Sequence, residues 1–292
     1  MKHKVILVAI LGCLIAQGAW AQSFKNAKRR SGDPFSGSQW YVGFRSGASL
    51  IRPIVGERYS EFSGVNAEST LDDKEYQAGS DNVGYHAGIS LSYATGSFLS
   101  VTLSAVYNNM QYAYDQSYSW TDPENEQNTL LLDYEHRQSL YYLELPLTVR
   151  YTFPLGRFKP YALTGVTYGR LLNAQKHVVV SGTDYASGGG VAFENAQQTS
   201  TITDAYIKSH AAALLGGGLQ YNFGSVLATF DASYRYGLHN ITRAEQRYAA
   251  TRHLAGLGNV PDDVRFQGVE CTVSLLFPLK FLTDRHFKPV TF

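Results

Sequence analysis

From Tyr141 to Tyr151 the chain reads YYLELPLTVRY. With a period of two it separates into Tyr141, Leu143, Leu145, Leu147, Val149 and Tyr151 on one face and Tyr142, Glu144, Pro146, Thr148 and Arg150 on the other. The same alternation predicts strands over 40–50, 83–93, 99–108, 211–223, 226–237 and 269–277. The stretch KPYALTGVTYGRLL, 159–172, favours a strand by composition and flanking turns, with no clear phase. Counted with 141–151, eight strands are predicted.

The connections alternate in length. Short glycine-containing turns, ATGSF, FPLGRF and NFGS, join strands two to three, four to five and six to seven. The other links, 51–82, 113–138, 173–206 and 242–264, are long and polar, and read as solvated loops. An even number of antiparallel strands with this asymmetry matches an all-β, eight-stranded transmembrane β-barrel with short periplasmic turns and long extracellular loops.

A soluble barrel would show the same period, so the polar face decides. Facing water it would carry lysine and glutamate, whereas facing a narrow lumen it must be small or paired. The polar positions are mostly Gly, Ser and Thr, with no lysine and six charges: Arg45, Glu144, Arg150, Asp231, Arg235 and Glu270. Three are basic and three acidic, as an internal ion-pair network requires, because an unpaired charge in a confined lumen is costly. Trp40, Tyr93, Phe98, Tyr107, Tyr141, Tyr151, Phe153, Phe158, Tyr161, Tyr221, Phe223, Tyr236 and Phe277 gather near strand ends, where membrane barrels carry aromatic girdles. Pro146 removes a ladder donor in mid-strand and predicts a local bulge.

Composition adds exclusions. In 292 residues there are 25 basic and 24 acidic side chains, which gives no field to attract nucleic acid. Two cysteines exclude a disulfide scaffold and a cysteine-based zinc site. MKHK, the apolar run 5–16 and Ala19-Trp20-Ala21 fit an export signal over 1–21, and that run is too short to span a bilayer. A flexible periplasmic segment, 22–38, carries Lys25, Lys28, Arg29 and Arg30 for contact with a partner or lipid head groups. The barrel is assigned to 39–280 and a tail to 281–292.

YLELPLTVRYTF, a short turn and KPYALTGVTYGRLL resemble the paired central strands of the PorT-like outer-membrane β-barrel proteins of Bacteroidota, and VSLLFPL resembles their closing strand. The resemblance implies localisation to the cell outer membrane and, for PorT, a part in type IX protein secretion. Expected partners are outer-membrane lipids and lipopolysaccharide, the barrel-assembly machinery and secretion-system proteins. No cofactor is expected.

Three function classes follow: a structural or interaction barrel, a barrel enzyme hydrolysing lipid or peptide, and a small-solute channel. An enzyme needs a positioned histidine with Ser, Asp or Glu. His239, in phase with Asp231 and Arg235, and His210 beside Ser209 are the constellation to test; His86 reads as a lumen hydrogen-bonder, and His136 and His177 as solvated. No serine-and-carboxylate set accompanies either candidate, so the expectation is a non-enzymatic barrel. Eight strands enclose room only for side chains, which disfavours a wide channel.

Overall fold

A computed structural model of the protein describes residues 38–59, 74–77, 82–95, 98–153, 158–185, 189–223, 226–247 and 260–279. The expected export signal, nearly all of the 22–38 segment, the tail and most residues of the three short turns lie outside the described residues.

The chain forms β1 (Gln39–Val55), β2 (Glu75–Tyr76), β3 (Val83–Thr95), β4 (Leu99–Asp122), β5 (Asn125–Thr152), β6 (Phe158–Asp184), β7 (Val191–Thr201), β8 (Ser209–Phe223), β9 (Val226–Gly237) and β10 (Val264–Pro278). Eight of these close a ring, β1-β3-β4-β5-β6-β8-β9-β10 and back to β1, every pairing antiparallel. β2 and β7 lie outside it, on β4 and β6. Closure removes the sheet edges that an open arrangement would expose.

The two faces sort as the alternation demands. On β5, Leu143, Leu145, Leu147, Val149 and Tyr151 are exposed, while Tyr142, Glu144, Thr148 and Arg150 are buried inside. Two outward aromatic rows, their rings exposed or half-buried, bound the apolar outer surface. Trp40 with Tyr93, Phe98 with Tyr151, and Phe158 with Tyr221 form one at the short-turn end. Tyr85 with Tyr107, and Tyr107 with Tyr141, form the other, joined by exposed Tyr168, Tyr234 and Tyr236. From Phe98 to Tyr107 is about 30 Å along the strand at ~3.3 Å per residue. At the usual tilt of ~40° that gives about 23 Å across, close to the apolar band of a membrane barrel.

Three expectations need correction. The link 113–138 is largely β-hairpin: β4 and β5 stay paired far beyond Tyr107, up to a turn in which Asp122 Oδ1 accepts from Glu124 N at 2.9 Å. Likewise most of 173–206 is the β6–β7 hairpin. Second, Pro146 makes no bulge. Partnering with β4 lapses between Leu103–Leu147 and Val106–Glu144 and resumes in the same register, because the missing donor interrupts the ladder without adding a residue. The bulge lies instead on β6, where Leu172 is the extra residue between the pairs Tyr142–Leu171 and Tyr141–Asn173. The bulge reverses the phase of β6: Tyr161, Leu163 and Leu171 are buried before it, and Ala174, Lys176 and Val178 after it. Within 159–172 itself, large inward side chains such as Tyr161, Leu163 and Leu171 and small or polar outward ones such as Ala162, Thr164 and Arg170 hide the alternation. Third, Tyr161 belongs to the lumen rather than to a girdle.

At the loop end the barrel interior is filled by an apolar cluster that includes Ile51, Met110, Leu140, Tyr142, Leu171, Tyr206 and Phe266. Among the described residues no helix is long and apolar enough to cross a membrane.

Candidate functional site

Period-two strands aim Glu144, His210, Arg235 and Glu270 into the lumen from β5, β8, β9 and β10. Arg235 is the hub. Its Nη1 donates to Glu144 Oε1 at 2.8 Å, its Nη2 to Glu144 Oε2 at 2.6 Å, and its Nε to Glu270 Oε1 at 2.6 Å. This paired-fork geometry is the strongest form an arginine–carboxylate contact takes. Asn108 Nδ2 donates to Glu144 Oε2 at 3.1 Å, and His210 Nε2 lies 3.0 Å from Glu144 Oε1. Nearer the short turns, Arg150 Nη2 lies 3.8 Å from Asp231 Oδ2, Tyr161 donates to the same oxygen at 3.0 Å, and the guanidinium stands over the Tyr161 ring.

Five of the six expected network residues are thus brought together in two groups. Arg45 joins neither: it is half-buried and donates to Ser104 Oγ at 3.3 Å and Thr272 Oγ1 at 3.4 Å. Thr272 Oγ1 also lies 3.0 Å from His86 Nε2. Glycine makes room for both lumen imidazoles. His86 pairs across the strands with Gly47 and His210 with Gly169, and a β-carbon on Gly169 would come 2.2 Å from His210 Cε1.

Beyond the second aromatic row lies a cluster that the alternation argument missed. Lys74 Nζ, buried, donates to Asp262 Oδ1 at 2.7 Å and to the carbonyls of Tyr59 and Val260; Tyr76 donates to Asp262 Oδ2 at 2.8 Å. Burial, then the Asp262 carboxylate, raises the Tyr76 hydroxyl above its ordinary value. Tyr112 donates to Gln138 Oε1 at 2.6 Å and lies 2.7 Å from the Tyr206 hydroxyl, and Lys176 Nζ donates to Tyr114 at 3.2 Å. His136 is fully buried between the rings of Tyr114 and Tyr134. Burial first, then the Lys176 and Lys74 ammonium groups, pushes its imidazole down to about 2. It is therefore a buried neutral group and not the solvated residue expected.

A family model described as an outer membrane protein beta-barrel domain matches residues 20–243. The chain belongs to that outer-membrane β-barrel family. No curated protein matches it. Solved structures similar to it include Ail, the attachment invasion locus protein of Yersinia pestis, in complex with the heparin analogue sucrose octasulfate. That match has 12% identity and a TM-score of 0.30, covering 82% of this chain and 99% of that one. Another is the translocator domain of the autotransporter NalP from Neisseria meningitidis, at 6% identity and a TM-score of 0.22, covering 92% and 97%. The outward Leu, Val and aromatic face of this outer-membrane barrel meets lipid, and β10, which closes the ring on β1, lies beyond the matched residues.

The two histidines singled out for test do not form a constellation. β9 ends at Gly237, so His239 leaves the strand's phase and is exposed, with Nε2 3.3 Å from the Ser209 carbonyl oxygen. His210 faces the lumen and is engaged with Glu144 and Arg235. Among the described residues no three His, Cys, Asp or Glu side chains are grouped to hold a metal.

Proposed function

We propose that the protein is a non-catalytic outer-membrane scaffold that presents a rigid extramembrane sheet for interaction, as an accessory of protein secretion of the type IX kind. The carrying observation is the sheet that β4, β5, β6 and β7 raise past the outer aromatic row, up to fifteen residues beyond Tyr107 on β4. A binding surface held on a rigid scaffold needs little ordering when a partner arrives. Below it, five of the six lumen charges are taken up in ion pairs and the apolar cluster fills the loop end, which speaks against a solute path. By the usual orientation of such barrels, the sheet is extracellular and the short turns are periplasmic. The secretion role rests on the PorT-like strand pattern alone, and lipid, lipopolysaccharide and the assembly machinery are the partners that the barrel surface itself calls for.

The test is complementation of a deletion strain. A variant with the β6–β7 hairpin shortened between Val180 and Ala196 should insert normally and fail to restore the phenotype, whereas His239→Ala should restore it. A silent hairpin deletion together with a null His239→Ala would replace the scaffold with an enzyme.

A further inference from the structure

Just above the outer aromatic row, the outward side of the projecting sheet carries an open groove of about 180 Å³. A cavity of about 150 Å³ is enough for a benzene ring, so this is the size of one small ring rather than a long chain. Gln111, Ser139 and Gln175 stand beside one another in it, because Gln111 pairs with Ser139 and Ser139 with Gln175 across β4, β5 and β6. These three side chains make no hydrogen bond to another described residue. Asn82, 6% exposed, also lines the groove, and its Nδ2 donor has no partner among the described residues. A buried donor without a partner costs free energy, so a group supplying one adjoining it is favoured.

The charges argue for an uncharged ligand. Arg137 is the one formal cation among the described residues of the groove, and Glu135 lies 2.6 Å from its Nη2; His177 Nδ1 is engaged with Thr199 Oγ1 at 3.0 Å. What remains is a row of amide and hydroxyl groups, able both to donate and to accept, as vicinal hydroxyls require. Ser139 is two residues past Tyr141, about 7 Å along the strand, which places the row at head-group height. We infer that this groove binds a neutral sugar ring of a surface glycan. The inference deepens the scaffold reading by naming a ligand for its sheet, and it rests on that reading's outward orientation.

The test uses the full chain in phospholipid nanodiscs free of lipopolysaccharide, with saturation-transfer NMR and calorimetry. Three probes are dephosphorylated core oligosaccharide from lipopolysaccharide, the same core with its phosphates, and maltoheptaose. Binding of the dephosphorylated core should weaken about thirtyfold in Gln111→Ala/Gln175→Ala, two hydrogen bonds being lost. Ser139→Trp should abolish it by filling the groove. Preference for the core over maltoheptaose assigns the ligand to the protein's own leaflet, and the reverse to a soluble glucan; both support the site. Binding that requires phosphate, equal binding by parent and variants, or no binding of either neutral probe overturns it. Heat-modified mobility checks that each variant is folded. Loss of sugar binding in the parent with an intact hairpin-deletion phenotype removes only the groove, whereas a silent hairpin deletion removes the scaffold.

Discussion

Arg235 on β9 holds Glu144 on β5 through both terminal nitrogens, at 2.8 Å and 2.6 Å, although the two strands are three places apart in the ring. The pair is a tie across the lumen, and Glu270 on β10 anchors the same guanidinium to the neighbouring wall. β5 is thereby fixed to the same centre as the adjoining strands β9 and β10 on the opposite wall.

Removing one partner of that tie should be costly. Glu144→Leu leaves Arg235 with Glu270 alone and takes the oxygen that His210 faces, so the barrel should lose about 3 kcal/mol, the lower end for breaking a buried pair. Thr148→Ser, two inward steps away, should be nearly silent. Equilibrium unfolding in urea with heat-modified mobility as the readout checks both, and equal midpoints for Glu144→Leu and the parent would contradict the tie.

The cap should respond to acid through His136, which lies beyond the outer aromatic row. Its folded pKa of about 2 is below the ordinary 6.5, so the unfolded form takes the proton more readily. Its contribution is therefore complete above about pH 6.5 and declines as pH falls toward 2, by up to about 2 kcal/mol at pH 5 for a single proton. Hydrogen exchange over 110–116 and 134–140, corrected for intrinsic rates, should show the cap opening more easily at pH 5 than at pH 7.5. His136→Phe should flatten that dependence; an unchanged dependence would show that another group carries it.

The ring was legible because a lipid-facing strand has no alternative to strict alternation: Leu143, Leu145, Leu147 and Val149 had to share one face. The lumen charges were legible for the same reason, since Glu144, Arg235 and Glu270 fall at polar positions in unambiguous strands. Which carboxylate meets which arginine depends on strand stagger around the ring, which no local pattern encodes, and Arg45 among hydroxyls shows the limit of equal counting. The hairpins were hidden by their polarity. Met110, Tyr112 and Tyr114 alternate with Gln111, Ala113 and Asp115, and Asp122-Pro123-Glu124-Asn125 is a turn signal, so strand character was present. Outside the membrane the outer face is free to be polar, and Lys176 and His136 on the inner face made the segment look solvated. Lys74 and Asp262 lie in links far apart in the chain, and only folding brings them together.

The most direct test of the account is an accessibility scan of 141–151. With lipid-facing Cys271 replaced by alanine, single nitroxide labels at each position except Pro146 are read by electron paramagnetic resonance in lipid bilayers. Collision with oxygen dissolved in lipid should be high at 143, 145, 147 and 149 and low at 142, 144, 148 and 150. A polar nickel chelate should reach none of 143–149. Collision with the chelate along the odd face, or loss of the two-residue period, would contradict an outer-membrane barrel with Glu144 turned inward.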